Sequence, residues 1–112
     1  MKQIIIDTSF ILTAVAKKID FFEEIEGKGL HILVPEQVIK ELKGLGAELA
    51  LRILDKNEFE KLEISGKDAD IAIINFANKN PGAIVATLDK GLQKKIRNSK
   101  MVIRGRKKLE II

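Results

Sequence analysis

Short apolar runs alternate along this chain with segments whose apolar residues recur every three or four positions, and that alternation constrains the fold more than any other feature. The runs QIII (3–6), LHILV (30–34) and AIVAT (83–87) are rich in β-branched residues, as strands buried on both faces are. Phe10, Ile11, Ala14 and Val15 follow helical spacing between the first two runs. Val38, Leu42, Leu45, Leu49 and Ile53 do the same after the second, with Gly44 and Gly46 as a break between two consecutive helices. Asp20 is placed to cap a short helix, FFEEIEG, that stops at Gly27 or Gly29, and Pro35 suits the first turn of a helix. FEKLEI (59–64) alternates like an edge strand, and Ser65 or Asp68 can cap a helix with Ile73, Ile74 and Ala77 on its core face. Pro81-Gly82 marks a turn, and Leu88, Leu92 and Ile96 form a last helical stripe. MVI (101–103) is a fifth apolar segment and LEII (109–112) a candidate sixth. Strands alternating with helices predict an α/β three-layer domain, with a mainly parallel central sheet of about five strands flanked by helices. A chain of 112 residues with no repeat or linker suits a single domain over 1–112.

Several function classes are excluded by residues that are missing. Cysteine is absent, which rules out disulfide frameworks, Cys-based zinc sites and thiol nucleophiles. The one histidine, His31, lies inside an apolar run, where a structural role is the commoner one for it than a place in a catalytic triad. No apolar run approaches the roughly 18 residues needed to span a bilayer, and the N-terminus lacks a signal-peptide cleavage pattern. The expectation is therefore a cytoplasmic protein with no membrane partner. Charge is distributed unevenly. From Lys90 to Ile112 there are nine basic residues and one acidic, whereas the rest of the chain carries eleven basic and fifteen acidic. This asymmetry suits a polyanion partner, and it equally suits a solvated surface of the kind common in heat-adapted proteins.

The acids acquire meaning from the fold. In open α/β sheets, ligands bind outside the carboxyl ends of the strands. Asp7 directly follows the first run, and Asp89 lies two residues beyond AIVAT, so both fall at that edge. Glu41 lies in the helix after the second run, and Asp70 opens the helix before AIVAT. Converging carboxylates raise one another's pKa, a penalty that a divalent cation removes. An all-oxygen donor set without His or Cys suits Mg²⁺ or Mn²⁺, and such a site supports phosphodiester hydrolysis. The hydroxyl of Thr87, two residues before Asp89, is placed to hold a carboxylate or a metal-bound water. Each acid also has a structural reading: Asp7 and Asp89 as helix caps, Glu41 as a member of a surface pair, Asp68 and Asp70 as first-turn acids.

Taken together, IIIDTSF, VIKELKGLG, DADIAIINFA and VATLDKGLQKKIR resemble the four motifs of the PIN-domain nucleases, in order and over nearly the whole chain. ELKGLG and the last motif are most similar to PIN proteins that cleave small-subunit pre-ribosomal RNA. Small prokaryotic relatives are commonly grouped with VapC toxins, which are ribonucleases restrained by a VapB antitoxin. The resemblance implies a metal-dependent endoribonuclease, foremost a VapC-like toxin of a type II toxin-antitoxin system. Asp7, Glu41, Asp70 and Asp89 would hold Mg²⁺ or Mn²⁺, and Thr87 would support them. It also implies RNA as substrate, a VapB-like antitoxin as partner and a homodimer as a common assembly. DADIA can align on Asp68 or Asp70; apolar residues at +3, +4 and +7 favour Asp70. The further acid that the family often has after its last motif's Asp is missing around Gly91, a departure from the family pattern at the second-metal position.

Lys90, Lys94, Lys95 and Arg97 follow Asp89, and on a helix Lys90, Lys94 and Arg97 would share a face able to guide RNA. The alternatives are an rRNA-processing endonuclease and a PIN module that binds RNA or protein without cleaving. A third, an Asp-nucleophile phosphatase or phospho-receiver, fits poorly, because Ser9 stands where the phosphatase needs a second Asp.

Overall fold

The computed structural model describes residues 2–112. In chain order the elements are β1 (Gln3–Ile6), α1 (Thr8–Ala16), α2 (Phe21–Gly27), β2 (His31–Pro35), α3 (Glu36–Gly44), α4 (Glu48–Asp55), β3 (Glu60–Leu62), α5 (Ala69–Lys79), β4 (Ile84–Ala86), α6 (Lys90–Lys94), β5 (Lys100–Arg104) and β6 (Lys108–Ile111). They form one six-stranded sheet in the order β3-β2-β1-β4-β5-β6. All pairings are parallel except β5–β6, which is antiparallel. The architecture is the expected mixed α/β domain with helices around a mainly parallel sheet.

Strand order positions the site. From β1 the chain moves outward to β2 and β3; from β4 it moves the other way, to β5 and β6. β1 and β4 are neighbours, with Ile6 opposite Ala86, so the order reverses between them. A crevice opens at such a switch point, outside the carboxyl ends of the two strands. Asp7 follows β1, and Thr87 to Asp89 follow β4, so both segments border that crevice. The Asp7 amide donates to the Ala86 carbonyl at 2.9 Å, which ties the two segments together at the edge.

The core explains why these runs are strands. Ile4, Ile5 and Ile6 are fully buried together, as are Leu33 and Val85, because helices cover both faces of the central strands. Phe10, Phe21 and Phe22 pack beneath α1 and α2, with Phe10 edge-on to Phe21 at a centroid distance of 6.1 Å. On β2, His31 Nε2 meets Glu60 of β3 at 2.8 Å, at the end of the strand opposite the crevice.

The candidate sixth segment, LEII, does join the sheet, pairing back on β5 through a turn at Gly105, whose φ is +58°. Several local expectations are corrected. Pro35 ends β2 and serves as the N-cap of α3 rather than lying in its first turn. The stripe of Val38, Leu42, Leu45, Leu49 and Ile53 does not stay in phase, because the break at Gly44–Gly46 resets the helix. Leu45 and Leu49 are left 65% and 58% exposed. Ile74 is only half-buried, and the core face of α5 is instead Ala69, Ala72, Ile73 and Ala77. α6 is a short helix ending at Lys94, so Arg97 lies beyond it and shares no helical face with Lys90 and Lys94. No helix of the described residues is long and apolar enough to cross a membrane.

Candidate active site

Asp7 is the most buried of the acids, at 4% exposure. It occupies the N-cap position of α1 in extended conformation, but its side chain makes no capping bond. It accepts two hydroxyl hydrogen bonds on a single oxygen instead. Thr87 Oγ1 donates to Oδ2 at 2.8 Å and Ser9 Oγ donates to the same atom at 2.9 Å. Each hydroxyl is in turn held by an amide: Asp89 N–H donates to Thr87 Oγ1 at 3.1 Å, and Leu88 N–H donates to Ser9 Oγ at 3.1 Å. A hydroxyl has one proton to give. Both protons are committed to Oδ2, and Oδ1 receives no hydrogen bond from the described residues.

Asp89 divides its oxygens in the same way. Oδ1 accepts from the amides of Gly91 at 2.8 Å and Leu92 at 3.2 Å, capping α6, while no described donor reaches Oδ2. Gln93 Nε2 donates to the Thr87 carbonyl at 2.8 Å and braces the segment between β4 and α6. Asp68 caps α5 by accepting from Ile71 N–H at 3.0 Å. Asp70 therefore stands in the first turn, with its carboxyl exposed.

Asp70 records how the acids are grouped. Its pKa lies above the ordinary carboxylate value, first through partial burial and then through the charges of Asp7, Asp89, Asp68 and Glu41. Four acids from four parts of the chain therefore act on Asp70. No Lys or Arg of the described residues pairs with Asp7, Glu41, Asp70 or Asp89 within 4.0 Å; the ion pairs there are His31–Glu60, Glu36–Lys40, Glu48–Arg52 and Glu110–Arg104. Electrically the site is a cluster of hard oxygen donors with no directly paired cation, the composition that suits a divalent cation. Among the described residues, no three acidic or imidazole side chains stand close enough together to form a finished coordination shell. The side chains of Glu41 and Asp70 are exposed and free to turn.

Asp7, Thr87 and Asp89 are joined by hydrogen bonds, and Asp70 and Glu41 join them through space. Lys90 and Lys94 lie on α6 beside Asp89, Lys95 is its C-cap, and Arg97 is exposed beyond it. Ser9 is the residue that sequence reasoning missed. Its signal was present: two residues after Asp7, in the first turn of α1, a hydroxyl can turn back onto the preceding carboxylate.

A parallel α/β sheet with uncompensated carboxylates at its switch point is the class of protein described so far. Residues 4–108 match the family described as PIN like domain, and the chain belongs to that family. It is 36% identical, over an alignment of 130 residues covering 99% of this chain and 97% of the relative, to Ribonuclease VapC4 of Methanocaldococcus jannaschii. It is also 36% identical over 101 residues to the rRNA-processing protein fcf1 of Schizosaccharomyces pombe, covering 84% of this chain and 53% of that protein. Among solved structures, the PIN domain endonuclease Utp24 superposes with a TM-score of 0.85 at 30% identity, over 97% of this chain and 90% of that one.

Proposed function

We propose that this protein is a divalent-metal-dependent endoribonuclease that hydrolyses RNA phosphodiester bonds. The observation that carries the reading is the meeting of Asp7 and Asp89 at the carboxyl ends of neighbouring strands, joined through Thr87, with Asp70 and Glu41 close by and no described Lys or Arg paired with any of the four within 4.0 Å. Asp7, Glu41, Asp70 and Asp89 would hold Mg²⁺ or Mn²⁺, with Thr87 as their support. When bound, the ion supplies an activated water and neutralises charge on the scissile phosphate. Asp7 presents Oδ1 because Thr87 and Ser9 fix Oδ2, and Asp89 presents Oδ2 because the α6 amides fix Oδ1. Asp70 and Glu41 complete the donor set from the facing helices α5 and α3.

The biological role we favour is that of a VapC-like toxin acting in the cytoplasm. The 36% identity to a VapC ribonuclease supports it; the chain spans about half the length of the rRNA-processing relative that it matches at the same identity. A VapB-like antitoxin or a second copy of the chain would be its protein partner, and the exposed Leu45 and Leu49 are apolar surface suited to one. The second reading, ribosomal RNA processing, draws on the 0.85 TM-score with Utp24.

The test is cleavage of a labelled single-stranded RNA by the purified protein. Cleavage should require Mg²⁺ or Mn²⁺, stop with EDTA, and be lost in Asp7→Asn. Undiminished cleavage in EDTA, or full activity in that variant, would overturn the reading. Growth arrest on expression in a heterologous bacterium, relieved by Asp7→Asn, would separate the toxin role from processing.

A further inference from the structure

An enzyme of this kind faces an electrostatic difficulty: the acids that define its site repel the polyanion they must meet. A compensating positive surface has to lie next to them. The described residues form such a surface in a trough between α6 and β5, and it is not the one that sequence order suggests. Lys90 and Lys94 stand one turn apart on α6, while Lys100, Val102 and Arg104 occupy alternate positions of β5 and so project from one face of that strand. All five line the trough, with Leu88 and Ile112 contributing apolar floor, and no acidic residue lines it. Lys95 and Arg97, although nearer to Asp89 in sequence than Lys100 and Arg104, are not among its lining residues.

The trough begins at the candidate active site. Leu88 and Lys90 flank Asp89, and Gln93, also in the lining, holds the Thr87 carbonyl. β5 runs parallel to β4 with Ala86 opposite Met101, so Arg104 lies toward the carboxyl edge of the sheet, where the acids are. The cations are only lightly engaged within the protein. Lys100 donates one proton to the Asn98 carbonyl at 2.8 Å, and Arg104 approaches Glu110 at 3.7 Å across an exposed pair. Such exposed pairs contribute little and yield readily to a phosphate.

We propose that this trough binds the phosphodiester backbone of the RNA strand flanking the scissile bond, with Lys90, Lys94, Lys100 and Arg104 as its phosphate contacts. The proposal rests on the nuclease reading for the identity of the polyanion. Four cations along an apolar floor suit a sugar-phosphate chain, whose charges are spaced and whose riboses are partly apolar. Binding should be largely independent of sequence, because the chain has neither tryptophan nor tyrosine on which to stack bases.

The experiment is equilibrium binding of a fluorescein-labelled oligouridylate, by anisotropy, in EDTA so that hydrolysis plays no part, with cleavage measured separately in Mg²⁺. Four single-strand phosphate contacts give a slope of log K against log salt of about −2.8, a loss of about 50-fold between roughly 50 and 200 mM salt. The double variant Lys100→Ala/Arg104→Ala should lower that slope by about 1.4, while Lys95→Ala/Arg97→Ala should leave it within experimental error. Glu110→Gln, which releases Arg104, should tighten binding several-fold, an increase that a misfolded protein could not produce. The proposal is overturned if Lys100→Ala/Arg104→Ala binds with the parent's slope, if Lys95→Ala/Arg97→Ala causes the larger loss, or if a poly-glutamate peptide binds more tightly than the oligouridylate. Trough-dependent binding without cleavage would sink the nuclease reading and leave the trough standing. Cleavage with trough-independent binding would do the reverse.

Discussion

Thr87→Val isolates the hydroxyl network from the packing around it. Thr87 is fully buried, and valine matches its shape, so the substitution opens no cavity. It removes the 2.8 Å hydrogen bond to Asp7 Oδ2 and leaves the Asp89 amide without its acceptor at 3.1 Å. A hydrogen bond to a charged group contributes about 1.5–3 kcal/mol, and Ser9 still donates to the same oxygen, so a net loss of about 2 kcal/mol is expected. For a domain of this size that lowers Tm by roughly 10 °C. Thr87→Ser keeps the hydroxyl and deletes one methyl, costing about 1 kcal/mol. The order of stability is therefore threonine, then serine, then valine. A buried site governed by packing gives the opposite order for the last two. Thermal and urea denaturation of the three proteins read the order directly. RNA cleavage should follow the hydroxyl, with serine retaining most of it and valine losing about tenfold or more, since Asp7 is no longer held in one orientation. A valine variant as stable and as active as the serine variant would falsify the argument that the hydroxyl, rather than the volume, is what position 87 supplies.

Three further outcomes are expected. In EDTA, Asp70→Asn should stabilise the protein at neutral pH by under about 1 kcal/mol, because the carboxyl stands largely in water. The sign follows from its raised pKa: folding favours the protonated form, so the ionised form is a cost that appears as pH rises through the folded pKa. The gain should therefore shrink as pH falls through that value and vanish below about 3.9, the unfolded carboxyl's own range, in melting curves taken across pH. Titrating Mg²⁺ or Mn²⁺ should raise Tm, with about 2.7 kcal/mol gained at a hundredfold excess over Kd, and the rise should disappear in Asp7→Asn. Gly66→Ala should destabilise by about 2 kcal/mol or more, because φ at Gly66 is +153° and an added Cβ would lie 2.5 Å from Ala72 Cα and N in α5. A circular-dichroism melt within 1 °C of the parent would contradict that last expectation.

Much of the fold is legible in the sequence because burial on both faces leaves strands little choice of residue. QIII, LHILV and AIVAT are strands for that reason, and Asp20 and Asp68 mark helix starts by their own side-chain bonds. Legibility ends where the information is phase or register. Leu45 and Leu49 fit a helical stripe by spacing, but the chain breaks between α3 and α4 at Gly46, whose φ is +66°, and spacing alone carries no record of that. The placement of the candidate site was also partly legible: Asp7 and Asp89 follow from the ends of strands. Lys100 and Arg104 were not, because their approach to Lys90 and Lys94 depends on the pairing of β5 with β4, a contact between segments that local pattern does not encode. Ser9 was overlooked although its partner stands two residues away, because a serine in a helix's first turn is so often a capping residue.

The structural and functional readings of the acids, set out as alternatives on sequence, turn out to be compatible in the same side chains. Asp89 is a helix cap, as the structural reading has it, and the cap engages Oδ1 alone. Asp7 is anchored by two hydroxyls, and the anchor engages Oδ2 alone. In both residues the bonds that stabilise the fold engage one carboxyl oxygen and leave the second without a protein partner among the described residues. A carboxylate held this way loses little rotamer freedom on meeting a ligand, so less of the interaction is spent on ordering it. Asp70 and Glu41 lack such anchors among the described residues and stay exposed, which leaves their side chains room to reorient and relieve their mutual repulsion. The site is thus rigid on the side built from the sheet and adaptable on the side built from helices α3 and α5. Capping by Asp89 is therefore no evidence against the metal-ligand role proposed for it, because the cap occupies Oδ1 and leaves Oδ2 without a protein partner among the described residues.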